Sequence, residues 1–195
     1  RFYDATVGNV YIGGEDVRTI PLRTLRDRIA VVPQKAVLFR GTVRSNLLWG
    51  NESATDDELW AALEAAQAKD FVMQKEGGLD APVTQGGKNF SGGQRQRLLI
   101  SRAIAGQPEI LILDDSSSAL DYKTDAELRK AISTELGDTT TVIVAQRVSS
   151  VMSCDLILVI DEGRIIGAGD HEKLMQTCSV YSEISKSQMG GAILE

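Results

Sequence analysis

Asp114 and Asp115 close the apolar run Ile110-Leu111-Ile112-Leu113. Such a run reads as a buried strand, which places two carboxylates at a strand's carboxyl end, where open α/β sheets bind ligands. Their oxygens suit Mg²⁺, held directly or through its waters beside nucleotide phosphates. Acid pairs at strand ends also serve simply to solvate a loop. A second group, Ser91-Gly92-Gly93-Gln94, has the spacing of a capping box, with Ser91 capping a helix and Gln94 reaching back to it. A cap does not explain two glycines, each of which costs about 0.8–1.0 kcal/mol relative to alanine inside a helix. At a first turn, however, glycines let phosphate oxygens approach the bare N–H groups and the positive end of the helix dipole.

These residues need elements to carry them. Runs rich in Val, Ile and Leu at 29–32, 110–113, 141–145 and 156–160 suit buried parallel strands. Between them, 124–136 has helical spacing, with Leu128, Ile132 and Leu136 in register and Thr124-x-x-Glu127 as an expected capping box. The turn Asp161-Glu162-Gly163-Arg164 leads into Ile165-Ile166, so a hairpin is expected at the sheet edge. From 55 to 105 almost nothing reads as strand. Thr55-x-x-Glu58 caps a helix whose Leu59, Leu63 and Ala66 share a face, and a further helix runs from Ser91 towards Gly106 and Pro108. The expected architecture is an α/β core with a helical insertion.

Composition narrows the function. The chain has 195 residues, 43% hydrophobic and 25% charged, with 18 Gly and 4 Pro, the profile of a folded globular domain. Its net charge of −6 has the wrong sign for a generic polyanion binder, so no nucleic-acid partner is expected. No apolar run approaches the roughly 18 residues that span a bilayer. No signal peptide is visible at Arg1, and the lack of an initiator Met implies sequence upstream. Cys154 and Cys178 lack metal-site spacing and read as reduced thiols, while the single histidine, His171, excludes His-rich zinc sites and most Ser/His/Asp triads.

Taken in order, SGGQ at 91–94 followed by RQR, then ILILDD at 110–115, then SALD at 118–121, resemble the nucleotide-binding domain of an ATP-binding cassette (ABC) transporter. Val31-Val32-Pro33-Gln34 resembles its Q-loop. Val37-Leu38-Phe39-Arg40-Gly41-Thr42-Val43 resembles the following stretch of multidrug-type exporters, as does Thr84-Gln85-Gly86-Gly87 just before the signature. The resemblance implies an α/β, P-loop NTPase-like (RecA-like) fold: a mostly parallel sheet core with an inserted α-helical subdomain. Its implied divisions are 1–34 and 108–195 as ATP-binding core and 35–107 as helical signature subdomain. It implies ATP and Mg²⁺ as ligands, with Asp114 and Gln34 at the metal. Ser91, Gly92, Gly93 and Gln94 would contact ATP held mainly by a second nucleotide-binding subunit, and Asp121 would bridge the two sites. It further implies a transmembrane partner domain and a place at the cytoplasmic face of the plasma or inner membrane.

Three departures qualify the resemblance. The family's strand ends in Asp-Glu, whereas Asp115 here puts the base one methylene short. The family's switch histidine is replaced by Gln146. Because a misplacement of about 1 Å can cost ~10²-fold in rate, the site built on Asp115 and Gln146 is expected to be slow. That pattern resembles the degenerate half of heterodimeric exporters, with a non-catalytic regulatory module as the alternative. An ABC ATPase of DNA repair or translation is disfavoured by the acidic balance. Finally, no G-x-x-x-x-G-K-[ST] occurs. Arg1-Phe2-Tyr3-Asp4 resembles the end of the helix that follows this P-loop, so the sequence is expected to begin just after it and to be inactive alone.

Overall fold

A computed structural model gives the fold of Arg1 and residues 3–191. They form two compact units, one from Arg1 to Val144 and one from Ala145 onward. The first opens with an antiparallel pair, β1 (Tyr11–Ile12) and β2 (Glu15–Asp16), then α1 (Leu22–Asp27) and β3 (Ile29–Val32). A mainly helical stretch follows: β4 (Gly41–Thr42), α2 (Val43–Leu47), α3 (Asp56–Ala65), α4 (Lys69–Met73), β5 (Pro82–Val83) and α5 (Gly92–Ala105), with β4 and β5 paired antiparallel. β6 (Ile110–Asp114), α6 (Tyr122–Glu135) and β7 (Thr140–Val144) complete the unit.

The strands β3, β6 and β7 form a parallel sheet in the order β3-β6-β7. Its register pairs Val32 with Leu113 and Leu113 with Ile143, so the carboxyl ends of all three strands lie side by side. Helix α5 joins this sheet to the helical stretch. Leu98, Leu99, Ile100 and Ile104 are all buried on it, in one core that includes Val32, Leu111 and Leu113 of the sheet and Leu47, Leu59 and Leu63 of α2 and α3. A fully buried Leu or Ile contributes about 1.5–3 kcal/mol, so α5 is the main apolar link between sheet and helices.

Helix α3 begins as its sequence requires. Thr55 and Glu58 form the reciprocal capping box, and Leu59, Leu63 and Ala66 face the core. Two polar clips fasten the helical stretch. Arg44 on α2 binds Asp56 at the start of α3 and, at 2.8 Å, Asp80; hydrogen bonds from Asp80 first, then Asp56, favour its charged form. Buried Asn46 donates to the carbonyls of Phe39 and Thr42 and accepts from Arg102 of α5 at 2.6 Å. The expected capping box at Thr124 is corrected. The cap of α6 is Asp121, whose carboxylate takes both the N–H and the hydroxyl of Thr124, so the helix starts earlier.

The second unit contains β8 (Ile157–Asp161), β9 (Arg164–Gly169), α7 (His171–Thr177) and α8 (Ser179–Gly191). The expected hairpin forms, but β8 is not a buried parallel strand and the hairpin is a separate two-stranded sheet. Glu162 and Gly163 both have positive φ, 44° and 75°, the pattern of a two-residue turn that returns the chain antiparallel. Parallel pairing would need a crossover of a dozen residues or more. Leu158 and Ile160 are accordingly 48% and 65% exposed. This unit's core gathers Val148, Ile157, Leu174, Cys178 and Tyr181. Both cysteines are thiols, and among the described residues no helix is long and apolar enough to cross a membrane.

Candidate functional site

Strand register assembles the centre of the site. Because Val32 pairs with Leu113, Gln34 and Asp115 each stand two residues past the same rung of adjacent parallel strands. Gln34 Nε2 donates to Asp115 Oδ2 at 2.9 Å. Asp115 is only 8% exposed and sits at φ 44°, a left-handed conformation that costs a non-glycine residue roughly 1–2 kcal/mol and clusters at functional sites. Its backbone is held on both sides: its N–H donates to the Val144 carbonyl at 2.8 Å, and its carbonyl accepts the Ser118 hydroxyl at 2.9 Å. Asp114, the last residue of β6, pairs with Val144 and is exposed.

Among the described residues no group of three or more His, Cys, Asp or Glu side chains is placed to hold a metal ion. Asp114, Asp115 and Gln34 instead offer a partial set of hard oxygens. That set fits Mg²⁺ of the kind that keeps several waters and takes its remaining ligands from substrate phosphates.

The second group is the start of α5. Ser91 caps it, accepting from the Gln94 N–H at 3.2 Å, while the Gln94 side chain accepts from the Ser91 N–H at 3.0 Å. The box therefore turns Gln94 onto its own helix. The two glycines differ. A Cβ on Gly93 would lie 3.1 Å from the Ala119 carbonyl oxygen and 3.4 Å from Leu120, whereas one on Gly92 would meet only the Ala119 Cβ at 4.0 Å. Gly93 thus has a packing reason, whereas Gly92 has room for a methyl group in ordinary contact with Ala119. Through that approach the structure brings Gly92 and Gly93 against Ala119 and Leu120, inside the segment Ser118-Ala119-Leu120-Asp121. Asp121 itself is engaged as the α6 cap, and the Thr124 N–H holds its carboxyl below the ordinary aspartate range. Phe90, just before the signature, is buried and meets Phe71 edge-on at 6.3 Å.

Gln146 belongs to the second unit. Its backbone carbonyl accepts Gln188 Nε2 of α8 at 2.9 Å. The Gln188 contact and the Asn46–Arg102 clip escape sequence reasoning. For Asn46 a polar residue amid Val43, Leu47 and Leu48 is a usable signal; for Gln188, a polar residue on an amphipathic helix, there is none.

Comparison with known proteins agrees with this geometry. The sequence profile of the ABC transporter family matches residues 1–118. An uncharacterized ABC transporter ATP-binding protein of Mycobacterium tuberculosis is 44% identical over 96% of the chain. An ATP-dependent lipid A-core flippase of Albidiferax ferrireducens is 40% identical, also over 96%. The chain spans about a third of the length of these relatives, 32% of each. The structure of a bacterial Atm1-family ABC exporter with ATP bound superposes with a TM-score of 0.91 at 34% identity, covering 96% of this chain and 33% of that one. The fold is that of a P-loop NTPase. The chain belongs to the ABC transporter family.

Proposed function

We propose that this chain is the nucleotide-binding domain of an ABC exporter, working at the cytoplasmic face of a membrane, and that it powers transport by ATP-dependent pairing with a second nucleotide-binding subunit on a different chain. The observation that carries the reading is the 2.9 Å contact between Gln34 and Asp115. It joins the loop beyond β3, whose sequence resembles the Q-loop, to the acid at the end of β6.

Within this reading Asp114 would hold Mg²⁺ and Gln34 would lend it an amide oxygen, and the ion would supply positive charge against the phosphates. Asp115 orients the attacking water but reaches one methylene less far than glutamate. Gln146 gives the terminal phosphate a neutral amide in place of an imidazole. Both changes weaken positioning, which carries most of the catalysis in phosphoryl transfer, so this chain's own site holds ATP and turns it over slowly. Ser91, Gly92 and Gly93 complete the partner's site, offering the first-turn N–H groups of α5 to its ATP. A regulatory module that binds nucleotide without hydrolysis is the second reading, favoured by the same Asp115 and Gln146 if the partner is altered too.

The test is Asp115→Glu combined with Gln146→His in the assembled exporter, with single-turnover hydrolysis read while the partner's own base is disabled. A general base in place is typically worth ~10²–10⁴-fold. The double change is expected to raise the rate by at least tenfold, with either single change giving less. An unchanged rate contradicts the assignment of these two residues.

A further inference from the structure

Tyr181, Ser185 and Gln188 follow one another along α8 at intervals of four and three, so they share one helix face. Tyr181 and Ser185 are buried. The Tyr181 hydroxyl lies 2.8 Å from His171 Nδ1 on α7, which fixes α8 on the core of the second unit. One turn further along the same face, the Gln188 amide reaches the loop ahead of the core residue Val148. Its Nε2 donates to the Gln146 carbonyl at 2.9 Å, and its Oε1 accepts the Val148 N–H at 2.8 Å.

A primary amide presents a donor and an acceptor side by side, as a peptide group does. Here its orientation is determined by its partners, because a carbonyl only accepts and an N–H only donates. The two contacts straddle Arg147. They fix the carbonyl of Gln146 and the amide of Val148, and with them the backbone torsions between. The clamped carbonyl shares its peptide plane with the Gln146 Cα, so the clamp also anchors the atom from which the Gln146 side chain leaves the loop.

We propose that Gln188 is a positioning residue: by clamping the backbone of Gln146 and Val148 it holds the loop that carries Gln146, and through it sets how long ATP stays at this chain's own site. The proposal rests on the reading of Gln146 as the residue that faces the terminal phosphate.

The experiment is a chase. The assembled exporter is loaded with radiolabelled ATP, and release from this chain's site is followed after excess unlabelled ATP is added. Gln188→Ala removes two hydrogen bonds and is expected to speed release about tenfold. Gln188→Glu keeps the acceptor for Val148 but sets a carboxylate against the Gln146 carbonyl, and should do at least as much. Ser187→Ala, at an exposed neighbouring position, should release ATP at the unmodified rate. Because Gln188 acts through Gln146, Gln146→Ala combined with Gln188→Ala should be no faster than Gln146→Ala alone. If Gln146→Ala speeds release and both Gln188 variants leave it unchanged, the proposal is overturned while the functional reading stands. If Gln146→Ala is also silent, both fall. Additive speeding in the double variant, accompanied by a lower melting midpoint, marks general loosening and overturns the positioning role.

Discussion

Gln34 and Asp115, 81 positions apart in the chain, meet through a 2.9 Å hydrogen bond because each lies two residues beyond the paired Val32 and Leu113. Gln34→Ala withdraws one donor from a nearly buried carboxylate, which should cost about 1–2 kcal/mol and lower the melting midpoint by roughly 2–8 °C for a chain of this size. Asp115→Ala should cost a similar amount. The double variant should fall short of the sum, since residues in direct contact are not additive. Fully additive losses in thermal melting would show that the contact contributes nothing to the folded state.

The two signature glycines should separate structure from function. Gly92 has room for a methyl group and Gly93 does not. Gly92→Ala should leave folding stability equal or slightly raised, by up to about 1 kcal/mol, yet reduce the exporter's ATP turnover by intruding where phosphate approaches. Gly93→Asp adds like charge beside that phosphate and should abolish most turnover while the partner still binds ATP. Comparing ATP binding with steady-state turnover checks both; normal turnover in Gly93→Asp would reduce the signature to a helix cap.

Acid should loosen helix starts first. The Thr124 N–H lowers the carboxyl of Asp121 below its ordinary 3.8, and the Thr55 N–H lowers that of Glu58 below 4.5. A group with a lowered folded value stabilises the fold above its unfolded value and loses that contribution as pH falls through the folded one. The melting midpoint should therefore hold steady down to pH 4.5 and decline below the ordinary values of 4.5 and 3.8. Asp121→Asn, which keeps one of the two acceptor oxygens and does not titrate, should lower the neutral-pH midpoint slightly and flatten part of that decline.

These helix starts also show what a sequence makes legible. The boxes at Thr55 and Ser91 involve partners three residues apart, so the pattern of side chains nearly determines the hydrogen bonds. At 121–127 the same logic offers two competent caps, Asp121 and Thr124. The structure takes Asp121 because its two oxygens bind both donors of Thr124. Asp114 and Asp115 could be placed at a strand end from the run before them, but the meeting of Asp115 with Gln34 depends on interstrand register, which no local pattern encodes. Ile157 and its neighbours show the opposite failure. Their apolar run suits burial, while the turn at Glu162-Gly163 decides the pairing.

The 195 residues contain no G-x-x-x-x-G-K-[ST] sequence, so the N–H cradle and lysine that grip β- and γ-phosphates are not among them. Residues 1–195 alone should show no calorimetric binding of Mg-ATP in the micromolar range. Micromolar affinity would place a phosphate grip within these residues and contradict this reading of where it lies.

The central claim is that this chain's own site keeps ATP while its signature helps the partner hydrolyse. The direct measurement is the fate of nucleotide in the assembled exporter. The complex is loaded with radiolabelled ATP, allowed many turnovers, separated rapidly from free nucleotide, quenched and analysed. The account predicts close to one uncleaved ATP per pair of subunits at the site built on Asp114 and Asp115, with phosphate release arising from the other site. Only ADP bound after turnover, with both sites cleaving at equal rates, would contradict it.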